Sequence, residues 1–396
     1  MIKRTKYLSQ LKSFRDKRLI KVVTGIRRCG KSTLLELYRE DLINNGVAAD
    51  QVIIINFEDA LYENLMDRKV LYEHISDRLI PDLMNYIILD EIQHVDDWQR
   101  VVDSLFIKNN CDVYITGSNA YLLSGELATL LSGRYVEIKM LPLSFAEYVS
   151  AFPDRTELSR KYASYLTNSS FPYALELNKS KEIRAYLDGI YSSVVLKDVV
   201  KRRRIADISA LESVIRFMFD NIGNLCSIKK IADALGTGGR NISVHTVGDY
   251  LDALCNSFIL YKAGRYDIKG KQYLKTGEKY YIADIGLRYY LLGPQKADMG
   301  RALENVVYLE LLRRGYEVWI GKIGNAEVDF IAANESGPEY YQVALTVRDA
   351  NTLTRELASL DSITDHSPKY LLTLDDDPMV SHNGIKQLNA LDWLLG

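Results

Sequence analysis

The chain has 396 residues, 26% of them charged, with a formal net charge of −2. That balance excludes a globally basic nucleic-acid coat, so any such contact has to come from local patches. Length leads us to expect about two to four domains, and the four scattered cysteines (Cys29, Cys111, Cys226, Cys255) contain no C-x-x-C, which argues against a zinc site or a disulfide framework.

In chain order, "MIKRTKYLSQLKSFRDKRLI" is basic but lacks the apolar core of a signal peptide, and no later apolar run is long enough for a bilayer. The expectation is a cytoplasmic protein without a membrane partner. Lys21–Val23 then reads as a short buried strand, followed by Gly25-Ile26-Arg27-Arg28-Cys29-Gly30-Lys31-Ser32-Thr33, which fits G-x-x-x-x-G-K-[ST]. The spacing of Leu34, Leu35, Leu37 and Tyr38 predicts the helix that such a loop opens. Glycines let backbone N–H groups approach phosphates, and the helix N-terminus adds partial positive charge. Lys31 is placed to reach the β- and γ-phosphates, and the Ser32 hydroxyl to ligate Mg²⁺.

"QVIIINFED", "NYIILDEIQHV" and "CDVYITGSNA" are continuous apolar runs of the kind parallel strands make when buried on both faces. Alternation with helical stretches makes this part α/β. Asp90 ends the second run and can hold the Mg²⁺ water shell; Glu91 beside it is placed to orient or deprotonate the attacking water. After the third run, Ser118 or Asn119 is expected to sense the γ-phosphate, and the sequence leaves open which. Asn178-Lys179-Ser180-Lys181 lacks the aspartate of a guanine-reading element, so ATP is expected rather than GTP.

The P-loop, the Asp90-Glu91 strand end, the T-G-S turn and "LLSGRYVEIKMLPLSFAEY" together resemble AAA-type P-loop ATPases. The resemblance implies that Arg134, just before the fifth core strand, acts as an arginine finger in a neighbouring subunit, and hence a homo-oligomer. It also implies a sensor arginine in a helical lid, for which Arg184 and Arg202 are candidates.

Beyond Leu143 the residues read as helices, interrupted by "NSSFP" and ended by Lys201-Arg202-Arg203-Arg204, a charge run that suits a helix C-terminus. Three amphipathic segments follow, with Ser227 and Ser243 as N-caps of the second and third, and then the β-like runs "LYKAGRYDI" and "KYYIADIG". Three helices and a ribbon make the winged-helix pattern. The ribbon carries Lys262, Arg265, Tyr266, Lys269, Lys271, Tyr273, Lys275 and Lys279, a composition suited to phosphate contact. The third helix offers Arg240, Asn241 and His245, but Asp249 and Asp252 would repel a DNA backbone.

The last hundred residues read helix, strand, strand, strand, with Glu304 on the helix, Asp329 on the second strand and Gln342 on the third. This resembles the PD-(D/E)xK restriction-endonuclease-like fold. Glu304 and Asp329 match its first two acids, but Gln342 and Ala344 stand where an acid and a lysine belong. A vestigial nuclease site is therefore expected, with Lys322 able to supply the lysine only by migration. The whole order resembles bacterial and archaeal AAA-type ATPases with a C-terminal restriction-endonuclease-like domain. The resulting expectation is a P-loop NTPase core of AAA type (1–145), a helical lid (146–205), a winged-helix domain (206–295) and a restriction-endonuclease-like α/β domain (296–396). Mg²⁺-dependent ATP hydrolysis would control a DNA- or protein-binding C-terminal half. An ATP-gated nuclease and a non-catalytic ATP-binding scaffold are the alternatives.

Overall fold

A computed structural model of the protein describes residues 2–123, 131, 133–154, 156–197, 199–200, 205, 207–237, 239, 242–293 and 299–396. The chain forms two compact units, Met1–Leu141 with Asn256–Phe258, and Pro142–Cys255 with Ile259–Gly396.

The first unit is built on a five-stranded parallel sheet: β1 (Ile20–Thr24), β2 (Val52–Asn56), β3 (Asn85–Asp90), β4 (Cys111–Gly117) and β5 (Tyr135–Lys139), in the spatial order β2-β3-β4-β1-β5. The helices are α1 (Thr5–Ser13), α2 (Lys31–Asn44), α3 (Arg68–Ser76) and α4 (Trp98–Ile107). Ile20, Val22, Ile55, Ile87, Leu89 and Ile115 of the strands share one core with Leu71 and Ile75 of α3 and Val101, Val102 and Leu105 of α4. Each contributes roughly 1.5–3 kcal/mol relative to exposure.

β1 is buried along its whole length although it contains Lys21. The Lys21 ammonium donates to the Asp112 carboxylate and to the Lys17 carbonyl. Asp112 also accepts from Tyr114 Oη at 2.8 Å and the Asp16 N–H at 2.9 Å. Burial lowers the Lys21 pKa and raises that of Asp112, each against the pull of the other.

The second unit opens with α5 (Phe145–Ser150), α6 (Leu158–Asn168) and α7 (Ser180–Ile190). Three further helices follow: α8 (Ile208–Asp220), α9 (Ile228–Thr237) and α10 (Val244–Asn256). Ser227 Oγ accepts from Lys230 N, and Ser243 Oγ from Thr246 N, which are the expected N-caps. β6 (Leu260–Asp267) and β7 (Gln272–Ile282) form the expected antiparallel ribbon. The ribbon does not stand apart, because β6 pairs in parallel with β8 (Glu317–Ile323). An eight-stranded mixed sheet results, ordered β12-β13-β11-β10-β9-β8-β6-β7. Its other strands are β9 (Ala326–Asn334), β10 (Gly337–Val343), β11 (Lys369–Thr373), β12 (Val380–His382) and β13 (Ile385–Asn389). α11 (Ile285–Leu292), α12 (Met299–Arg313), α13 (Ala350–Asp361) and α14 (Ala390–Leu395) complete the unit.

The "NSSFP" turn and the "ADIG" that follows the ribbon are two halves of one joint. Asp284 is buried and accepts from Ser170 N and Ser170 Oγ, both at 2.6 Å, and from Leu287 N at 2.8 Å. Gly286 lies so close to Ser169 that an added Cβ would sit 2.6 Å from its Cα. No helix among the described residues is long and apolar enough to cross a membrane. The Lys201–Arg204 run with Arg202, and Arg240 and Asn241, lie outside the described residues, as does the side chain of Lys275.

Candidate active site

β1 ends at Thr24 between β4 and β5, and the phosphate-binding motif starts at that end of the sheet. The sharp exit needs glycine: Gly25 has φ 154°, and an added Cβ would lie 2.1 Å from the Met140 carbonyl oxygen. Arg28 (φ 67°) and Gly30 (φ 102°) take left-handed conformations, and Gly30 is the N-cap of α2. Of the rest of the loop, Ile26 and Cys29 are buried, and burial pushes the Cys29 thiol up. Arg27 pairs with Glu58, while Thr33 is exposed on the first turn of α2.

The Lys31 ammonium is buried at the start of α2, 3.1 Å from the Gly25 carbonyl oxygen, 3.0 Å from Ser118 Oγ and 3.3 Å from Glu91 Oε1. Ser118 Oγ in turn donates to Glu91 Oε1 at 2.6 Å. Of the two residues left open by the sequence, Ser118 makes both contacts; Asn119 is buried next to it. Asp90 accepts from Thr116 Oγ1 at 2.5 Å and from the Ser32 hydroxyl. Thr116 Oγ1 also accepts from Glu91 N at 2.8 Å, so one side chain of β4 fixes both ends of the acidic pair.

Burial raises the Asp90 pKa, against hydrogen bonds from Ser32 and Thr116. At Glu91 burial also pushes upward, but the Lys31 ammonium and donors from Ser118 and Gln93 outweigh it and hold the carboxyl below its ordinary value. Glu91 is thus kept ionised in a buried site, the state a proton acceptor needs.

The site has a brace that the sequence reading missed. Arg4 is buried and donates to the Cys29 carbonyl oxygen at 2.9 Å and the Leu141 carbonyl oxygen at 2.6 Å, while Tyr7 Oη accepts from Leu141 N at 3.1 Å. The N-terminal segment thereby ties the phosphate loop to the end of β5. Arg4→Met is expected to cost about 1.5–3 kcal/mol of stability and to weaken nucleotide binding. Urea unfolding and titration with a fluorescent nucleotide would show it, and unchanged values in both would remove the brace.

Arg134 lies away from this constellation. Its carbonyl accepts from Ile20 N, at the end of the sheet where β1 begins, and its guanidinium bonds Asp103 Oδ1 of α4 at 2.5 Å. Its side chain is 45% exposed. In the other unit, Arg184 stands over the Tyr290 ring, 5.7 Å from its centroid.

In the C-terminal sheet, Glu304 and Asp329 do converge, but on a lysine. The buried Lys279 ammonium lies 2.9 Å from Glu304 Oε1, 2.8 Å from Glu327 Oε1 and 3.8 Å from Asp329 Oδ1. Tyr281 Oη donates to Glu304 at 2.7 Å, and Val343 N to Asp329 Oδ2 at 2.9 Å. Gln342 Oε1 accepts from Asp329 N at 3.3 Å, and its amide donates to Glu356. Burial opposes the charge on Lys279, but Glu304, Asp329 and Glu327 outweigh it and hold the ammonium well above its ordinary range. Lys279, expected among the phosphate contacts of the ribbon, is instead the counter-ion of this cluster, and Lys262 is paired with Glu278 at 3.1 Å. Lys322 stands opposite Glu327 in the strand register. The residues do not fit the Mg²⁺ of a nuclease: the ammonium already fills the carboxylate site. Among the described residues no group of three or more His, Cys, Asp or Glu is placed to hold a metal ion.

Fold and site are similar to those of AAA-type P-loop domains. The family model described as "AAA domain" matches residues 17–149, and a domain of unknown function matches 159–298. An uncharacterised protein of Haemophilus influenzae is 42% identical over 100% of this chain and 99% of its own length. One of Methanocaldococcus jannaschii is 32% identical over 84% of this chain and 76% of its own. The chain belongs to the family these two proteins represent, with members in bacteria and archaea. Among solved structures, a Walker-type ATPase of Pyrococcus abyssi shares the fold at 15% identity, with TM-score 0.50 over 74% of this chain and 96% of that one.

Proposed function

We propose that the N-terminal unit binds ATP with Mg²⁺ and hydrolyses it, and that its nucleotide state controls contacts made by the C-terminal half. The observation that carries this reading is the buried Lys31–Ser118–Glu91 constellation beside Asp90 at the mouth of a glycine loop. The loop fits a polyphosphate, because Gly30 caps α2 without a side chain and the helix N-terminus offers free backbone N–H groups there. Ser32 and Asp90 would hold the metal, a set of one hydroxyl and one carboxylate that suits an ion keeping most of its waters. Held there, the ion would supply positive charge against the phosphate oxygens. Lys31 carries a positive charge for the γ-phosphate, which competes with Glu91 for the same ammonium. Glu91 accepts the proton of the attacking water as the new O–P bond forms and the bond to the ADP oxygen breaks. Steady Mg²⁺-dependent release of phosphate from ATP, lost in Lys31→Ala, is the expected result. Turnover that survives Lys31→Ala removes the reading.

Arg134 is proposed to act on a neighbour's nucleotide in a homo-oligomer. Its position at the opposite end of β1 from Lys31, and its exposure, support action outside its own site. Specific activity should rise with protein concentration, and Arg134→Ala should lower it by about 10³-fold or more. A specific activity independent of concentration counts against it.

For the C-terminal half, the order of α8, α9, α10 and the ribbon supports a winged helix, and α12 followed by β8, β9 and β10 supports a restriction-endonuclease-like sheet. Lys269, Lys271 and Tyr273 are exposed at the ribbon turn, which supports DNA contact. With Lys279 in the carboxylate cluster we infer binding without cleavage. Binding that weakens steeply with salt is expected for DNA, and no salt dependence would favour a protein partner.

A further inference from the structure

We propose that Gln93 is a positioning residue for the hydrolytic base, holding the Glu91 carboxylate in one orientation. The inference rests on the ATPase reading above. Glu91 sits at a strand end with a left-handed backbone (φ 53°, ψ 45°), so its carboxylate is aimed by the turn that follows. Oε1 is taken by Ser118 at 2.6 Å and faces Lys31 at 3.3 Å. Oε2 accepts from the Gln93 amide. Each carboxylate oxygen thus has its own partner, and the rotation of the group is set by Gln93 on one side and Ser118 on the other.

Gln93 is itself held by the shape of the site. It lies in the short turn Ile92–His94, across the end of β4 at Gly117. An added Cβ at Gly117 would stand 3.0 Å from Gln93 Oε1 and 2.7 Å from Leu122 Cδ2, so a side chain there would press on both. Among the described residues, the buried carbonyl oxygen Oε1 of Gln93 has no hydrogen-bond partner. The amide is oriented by its donor, which it places on the Glu91 carboxylate. When a nucleotide draws Lys31 away from Glu91, Gln93 and Ser118 remain to hold the carboxylate.

The test uses the full-length chain with Gln93→Ala, Gln93→Glu, Glu91→Gln and the double variant Gln93→Ala/Glu91→Gln. Gln93→Ala should lower kcat by about 10- to 100-fold, a part of what a positioned base supplies, while leaving KM and nucleotide affinity near wild type. Gln93→Glu keeps the shape but sets a like charge beside Oε2, and should lose at least as much. In the Glu91→Gln background, Gln93→Ala should change the residual rate little, because its effect passes through Glu91. A kcat for Gln93→Ala within about twofold of wild type, or the same proportional loss in both backgrounds, overturns the proposal. A wild-type chain without ATPase activity overturns it together with the ATPase reading; an active wild type with an unaffected Gln93→Ala overturns this proposal alone.

Discussion

Glu91→Gln is expected to leave nucleotide binding intact and to lower ATP turnover by about 10²–10⁴-fold, the range a positioned general base supplies. The side chains differ by one group, and the glutamine can still accept from Ser118 through its carbonyl oxygen. What it loses is the ability to take a proton and the negative charge that pairs with Lys31. Freed of that partner, the ammonium is more available to phosphate, so ATP affinity should hold or rise. Lys31→Ala separates from it cleanly, since it removes the phosphate contact and should weaken binding as well as turnover. Equilibrium titration with ATP alongside single-turnover hydrolysis distinguishes the two. A Glu91→Gln protein that still hydrolyses ATP near the wild-type rate would place the base elsewhere.

The parts of this site that were legible in the sequence are those whose chemistry is written locally. Gly25, Gly30, Lys31 and Ser32 fall in one short motif because a loop between strand and helix must supply glycine torsions, a cation and a hydroxyl in fixed order. Asp90 and Glu91 were readable because a fully apolar run ended on them. Arg4 and Gln93 were not readable. Arg4 meets its partners 25 and 137 positions away, and nothing in "MIKR" announces a buried guanidinium. Gln93 looks like any polar residue after a strand until Gly117 is seen beneath it. Lys21 was legible inside a buried strand, but its partners were not: Asp112 and Tyr114 on the neighbouring strand make room for its charge.

The ribbon shows how a correct local pattern carries an incorrect inference about a side chain. The "KYYI" of "KYYIADIG" does end a strand, and its lysine is of the kind that lines a phosphate-contacting wing. Strand alternation sends Lys279 inward with Tyr281, and the parallel pairing of β6 with β8 brings that face over β9. The carboxylates of Glu304, Glu327 and Asp329 are waiting there. Only the sheet order, which composition does not encode, decides between a surface cation and a buried one.

Lys279→Met should therefore destabilise the chain by about 3–5 kcal/mol, the cost of leaving buried charge without its partner. The size of the loss should depend on pH, and its sign follows from Asp329. Burial, with Glu304 next, pushes that carboxyl from the ordinary 3.8 up to about 7, and Lys279 pulls against the shift. Between those two values the folded chain binds more protons at Asp329 than the unfolded chain does, so this group's contribution to stability falls as pH rises through the window. Removing Lys279 drives the carboxyl higher and carries the decline past pH 7. Urea unfolding should show a loss that is greatest near pH 8 and smaller near pH 5, where Asp329 is already protonated. Equal losses at both pH values would mean that Lys279 acts through Glu304 and Glu327 and not through the ionisation of Asp329. Mg²⁺ that restores the stability of Lys279→Met at pH 8, and does nothing to wild type, would show that the lysine holds the place a nuclease gives to metal.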